Sequence, residues 1–149
     1  MSGETWRYVW RKGVAPQLST GHLEALARGL EQDDPRLIQG GTTTPPPLMC
    51  GADWPCEAGC LIAYPFAFEE DAGPEFQGTR QSVKTVGETE EFFARVCFQA
   101  DQDLGEPAAV RYLLNWYDES PREEVRRKLP AEVRLALAER SKANAITRG

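Results

Sequence analysis

The apolar and polar positions of this 149-residue chain change rhythm three times. Residues 5–11, TWRYVWR, alternate: Trp6, Tyr8 and Trp10 point one way and Arg7, Val9 and Arg11 the other. Period two with large aromatics predicts a strand, closed by KGVAP. Leu23, Leu26, Ala27 and Leu30 then recur at i, i+3, i+4 and i+7. That spacing predicts a helix, capped by Ser19 or Thr20 and ended by Pro35.

The middle of the chain has no sustained period. Three threonines and three prolines in succession (42–47) are extended and cannot be helical. Leu37 and Ile38 suit a short strand inside this connection. Asp53 as N-cap and Pro55 in a first turn predict a helix running through CEAGCLIAY to Tyr64, where Pro65 stops it. Residues 66–84 read as a second long loop with a brief strand at SVK.

From Thr85 the helical period dominates. Thr85 and Glu88 form a capping-box pattern, and Phe93, Val96, Cys97, Ala100 and Leu104 make one apolar stripe that ends at Gly105. A second helix starts near Pro107 with Val110, Leu113, Leu114 and Tyr117 as its stripe. A third opens at Ser120, Pro121 and Glu123, carries Val125, Leu129, Val133, Ala136 and Leu137, and is kinked or divided at Pro130. These elements predict an α+β fold, mostly α: an N-terminal strand, paired in a small sheet, packed on a C-terminal cluster of three to four helices. Residues 1–142 form one globular domain and 143–149 a flexible tail.

The formal net charge of −6 is spread along the chain with no strongly cationic segment. A sequence-independent nucleic-acid binder needs a cationic face, so no nucleic-acid partner is expected. No apolar run approaches bilayer length, so no membrane partner is expected either. The N-terminus lacks a signal-peptide core, which points to the cytoplasm, where thiols stay reduced.

Candidate chemistry rests on four cysteines and one histidine. Cys50, Cys56 and Cys60 lie within eleven residues, and Cys97 sits on the stripe of the Phe93 helix. If the two helices pack, the four could converge on zinc, or on an iron–sulfur cluster, and His22 could replace one of them. The spacing lacks the tight C-x2-C knuckle of most structural zinc sites, and free cysteine packs as a small apolar group. The preferred reading is therefore idle thiols and no cofactor. A Cys–His enzyme would need Cys50 or Cys56 beside His22 and an orienting carboxylate or amide. Paired acids such as Asp33–Asp34 and Glu69–Glu70 read as solvated loop positions. No phosphate-cradling loop, H-E-x-x-H or nucleophile elbow is present.

The functional expectation that follows is a non-enzymatic cytoplasmic module, an adaptor or regulator, whose partner is another protein. Trp116 lies off its helix stripe, flanked by Asn115 and Asp118, and the 42–49 loop carries Thr43 and Pro46. These five are the candidate partner-binding residues. The first alternative is a small metal-binding domain using Cys50, Cys56, Cys60 and Cys97. The second is an enzyme with a Cys–His site. The oligomeric state is left open.

Overall fold

Trp6, Val9, Trp10, Gly13 and Val14 are all buried, while Tyr8 is 58% exposed. That spacing is i, i+3, i+4, i+7 and i+8, the stripe of a helix and not of a strand. The computed structural model describes residues 5–45, 51–70 and 84–148. In it the N-terminal segment is a composite helix. α1 (Thr5–Val9) runs directly into a π-helical turn, Trp10–Val14, and then a short 3-10 turn, Ala15–Gln17. The π turn is closed by the Ala15 N–H donating to Trp10 O, an i to i+5 bond. Pro16 follows, brings no N–H of its own, and the regular helix ends there.

The expected N-terminal strand and its small sheet are thereby corrected. Among the described residues the extended contacts are isolated bridges: Leu37 to Gly59 (parallel), and Thr43 to Gly59 and Pro55 to Thr85 (antiparallel). The strand predicted around Leu37 and Ile38 shrinks to one such bridge. Residues 82 and 83 of the SVK segment lie outside the described residues, and Lys84 follows directly. Among the described residues the regular elements are helices, with α2 (Thr20–Glu31), α3 (Ala63–Ala67), α4 (Val86–Leu104), α5 (Arg111–Glu119) and α6 (Arg122–Arg148) following the composite helix.

A second correction concerns residues 53–64. They do not form the expected helix; Asp53 is exposed and the backbone pairs outward instead. The Cys56 N–H donates to Lys84 O, Val86 N–H to Trp54 O, and Gly87 N–H to Ala52 O. The helix starts only at Ala63, so Pro65 falls in its first turn, where a missing N–H leaves no intrahelical acceptor unmet. Pro65 belongs to the beginning of α3, where the sequence reading had it end a helix.

The start and stop signals of α2 and α4 hold, whereas the helix expected to start near Pro107 begins only at Arg111, after a turn that contains Pro107. Ser19 caps α2 by accepting from His22 N at 3.0 Å, and His22 Nδ1 returns the bond by accepting from Ser19 N at 3.2 Å. Thr85 Oγ1 and Glu88 form the expected capping box on α4, and Gly105 closes it with φ of 72°, the left-handed conformation that glycine adopts without strain. Asp101 near the end of α4 accepts from Ala108 N and Val110 N, steering the chain into α5. α6 is not divided at Pro130; the helix runs through it.

α2 packs along α6, the π turn on α4, α1 on α5, and α3 against α2 and α4. Two close approaches set these layers. A Cβ on Gly13 would stand 2.7 Å from Leu104 Cδ1, so glycine lets the π turn settle on α4. A Cβ on Gly29 would stand 2.5 Å from the Tyr64 ring, so glycine lets α3 lie against α2. Under this junction the buried Asp34 carboxylate accepts from Tyr64 Oη at 2.6 Å and from Arg36 at 2.8 and 3.1 Å. Arg122 of α6 ties the same turn down, donating to Leu37 O, Asp34 O and Asp33 Oδ1. No helix among the described residues is long and apolar enough to cross a membrane.

Candidate functional site

The π turn and the C-terminal half of α6 face each other across a cleft of about 240 Å³. Trp10, Ala15, Pro16, Leu135 and Ala136 supply apolar lining; Arg11, Glu132, Glu139 and Arg140 supply charge. The walls are held by one ionic clamp. Glu132, only 6% exposed, accepts from Arg11 Nε at 2.7 Å and Arg11 Nη2 at 2.6 Å, and Arg7 Nε lies 3.3 Å away. A bidentate guanidinium–carboxylate pair is strongly directional, so it fixes the π turn against α6 in rotation as well as distance. Arg140, two turns beyond Glu132 on α6, donates to Ala15 O at 2.9 Å and closes the far end.

Two donors on residues that line this cleft stand out. Trp10 is fully buried, yet its indole Nε1–H has no acceptor among the described residues. A buried donor left unmatched costs about 1–3 kcal/mol, which makes such groups uncommon outside functional sites. Arg140 spends one N–H on the Ala15 carbonyl, and no carboxylate among the described residues pairs with it. π-helical turns are themselves frequent at functional sites. A second, more open groove, about 330 Å³, runs beside α4 between Gln17, Phe92, Val96 and Phe98. Phe98 is 64% exposed there, but no buried polar group without a partner accompanies it among the described residues.

The residues singled out in the sequence are largely engaged inside the fold. Trp116 is half-buried and stacks face to face on Trp6, centroids 3.7 Å apart and planes 4° from parallel, which holds α1 on α5. Asp118 is exposed and accepts from Gly40 N at 2.9 Å; Asn115 is exposed beside it. Thr43 Oγ1 donates to Glu90 at 3.3 Å. Pro46 lies outside the described residues. The chain around Gly40 and the end of α5 do come together, since Gln39 also donates to Tyr117 O and Ser120 O, and Tyr117 Oη to Ile38 O. These bonds dock the connection onto the helix, and the hollow beside Gln39 and Tyr117 holds only about 10 Å³.

Cys56 and Cys60 are buried and Cys97 is half-buried, all as free thiols; Cys50 lies outside the described residues. Burial pushes all three thiols up, Cys60 to about 11 and Cys97 to about 12, with Cys60 itself adding to the rise at Cys97. They are protonated at neutral pH, the opposite of an activated nucleophile. Cys56 Sγ donates to Ala58 O at 3.3 Å. His22 is occupied elsewhere: Nδ1 caps α2, Nε2 stands 3.5 Å from Glu69, and the ring packs on Phe92. Among the described residues no three histidine, cysteine or acidic side chains are gathered as a metal site would need.

No family model matches the chain, no curated protein is significantly similar to it in sequence, and no solved structure is significantly similar to it in fold. The cleft went unread in the sequence because its two walls come from opposite ends of the chain. One signal was present. Trp6, Val9, Trp10, Gly13 and Val14 at helical spacing would have put Arg7 and Arg11 together on the next face, ready for an acidic partner.

Proposed function

We propose that this chain is a non-catalytic protein-binding module, and that its contact surface is the cleft between the π turn and α6. The observation that carries this reading is the cleft itself: concave, largely apolar, clamped open by Arg11 and Glu132, and edged by Leu135, which is 41% exposed. Binding sites are typically pre-formed hollows with an apolar lining and a few placed polar groups. The raised thiols and the engaged His22 lend no support to Cys–His catalysis. Trp116, Thr43 and Asp118 hold internal contacts, which moves the proposed surface from α5 to α6.

A photo-crosslinking residue at Leu135 tests the proposal against the same probe at Glu24, an exposed position of α2 that does not line the cleft. Cells of the source organism should yield one discrete adduct from position 135 and none from 24. The purified partner should then bind the unmodified chain and lose binding to Leu135→Asp. Equal adducts from both positions, or a partner indifferent to Leu135→Asp, would move the contact surface elsewhere.

A further inference from the structure

We infer that the groove beside α4 is a second contact surface, and that it takes a cationic segment of a partner protein. One apolar side chain of that segment sits on Phe92, Val96 and Phe98, and its basic residues reach the acids at either end. The groove shares no lining residue with the cleft on α6, so the inference goes beyond that reading. Its floor is built in advance. Phe92 and Val96 are buried, and the Phe92 ring stacks on Phe66 with centroids 4.5 Å apart. Phe98 borders them and is the most exposed large apolar side chain among the described residues. Covering that ring removes apolar surface from water, which favours any partner that brings an apolar anchor. The hollow, about 330 Å³, is at the small end of the ~300–1,000 Å³ of ligand sites, so it suits an anchor side chain and not a folded face.

The charge on α4 selects the occupant. The helix carries Glu88, Glu90, Glu91, Asp101 and Asp103 against Arg95 alone, a net −4 of the chain's −6. Glu31, Asp33, Asp34, Glu124 and Glu132 all stand in ion pairs with arginine or lysine; among the described residues no α4 acid does. Two of these acids bracket the groove. Glu91 precedes Phe98 by two turns, and Asp103 accepts from Gln17 and Gln99, both of which line the hollow. The helix puts about 18 Å between these two positions. A second copy would bring the same net −4 against this face, so like charges oppose self-pairing. A basic segment gains at both ends. Arg95, which lines the groove, is the one α4 charge that works against it.

The test is an NMR titration of the intact protein with acetyl-Arg-Ala-Ala-Leu-Ala-Ala-Arg-amide, whose two basic residues stand about 20 Å apart when extended. Two controls replace both arginines by glutamine, or the leucine by alanine. The arginine–leucine peptide should move the backbone amide signals of α4 around Phe98 saturably. It should bind about fivefold more tightly than the glutamine peptide, the sum expected of two exposed ion pairs, and lose that margin in about 0.5 M salt. Glu91→Gln should weaken it about twofold and Arg95→Gln tighten it by a similar factor. Phe98→Ser should abolish binding while Tyr8→Ser, at an exposed aromatic on α1, leaves it unchanged. Both substituted side chains are largely exposed, and each variant is first checked for a native spectrum.

Arginine and glutamine peptides binding alike would overturn the cationic partner. Binding that survives Phe98→Ser, or loss of the leucine without effect, would overturn the groove as its seat. A concentration-dependent dimer in light scattering that Phe98→Ser dissolves would assign the face to a second copy instead and overturn the inference. If no peptide moves the α4 signals, the inference fails, and the crosslink at Leu135 judges the cleft on α6 independently.

Discussion

Replacing Glu132 with glutamine removes the charge on which Arg7 and Arg11 converge while keeping the side-chain volume. The carboxylate is nearly fully buried, but the side chains of Arg11 and Arg7 are 50% and 27% exposed. Breaking a fully buried pair costs about 3–5 kcal/mol, and breaking a surface pair about 0.2–1. With solvent screening on the arginine side, the loss for Glu132→Gln falls between these, about 1–2 kcal/mol. A double-mutant cycle with Arg11→Gln isolates the pair itself, with an expected coupling of about 1 kcal/mol; Arg7, still near Glu132, keeps it from being larger. Urea unfolding followed by circular dichroism at pH 7 reads each corner of the cycle. Repeating it in 0.5 M salt should shrink the coupling only in part, since the acidic partner is shielded from solvent. A coupling below about 0.3 kcal/mol, the usual scatter of independent sites, would refute the clamp and with it the claim that the cleft is held in shape.

Asp34 is held below the usual carboxylate range: burial alone would raise it, but hydrogen bonds from Arg36 and Tyr64 outweigh that. Its contribution is therefore present above about pH 3.8 and lost as pH falls through its lowered folded value. Tyr64→Phe should cost about 1.5–3 kcal/mol at pH 7, shrinking below pH 3.8, and a cost independent of pH in urea melts would contradict the bond to an ionised carboxylate. His22 is lowered, chiefly by burial, with Glu69 opposing and Lys84 and Arg140 adding to the fall. Its contribution is present above about pH 6.5 and lost as pH falls through the lowered folded value, because protonating Nδ1 would break the α2 cap. His22→Gln keeps an acceptor at the cap, so urea midpoints compared at pH 7.5 and 5 should fall less in the variant than in the parent; equal falls would exclude His22 as the cause. Ala108 has φ of 58°, a left-handed conformation costing a non-glycine residue about 1–2 kcal/mol. Ala108→Gly should raise the melting temperature by about 2–4 °C per kcal/mol relieved, and a lowered melting temperature would show that the strain is absent.

What the sequence determined by itself was local. Ser19, Thr85, Glu88 and Gly105 mark helix ends through bonds and dihedrals that span three or four residues, so α2 and α4 were legible before any packing was known. The charge pattern and the absence of a bilayer-length apolar run were legible for the same reason. Tertiary structure decided the rest. Seven residues of TWRYVWR fit period two as well as period 3.6, and the choice fell to partners far along the chain: Trp116 against Trp6, and Leu104 and Ala100 against Gly13. Pro65 fits the first turn of a helix as well as its end, and the bonds that residues 52–56 make to 84–87 settled which. The cleft belongs wholly to this second kind, because Trp10 and Arg140 share a hollow only once Glu132 has drawn the two ends of the chain together. A hydrophobic pattern records which face of an element is buried; it does not record which distant element buries it, and the site lies in that pairing.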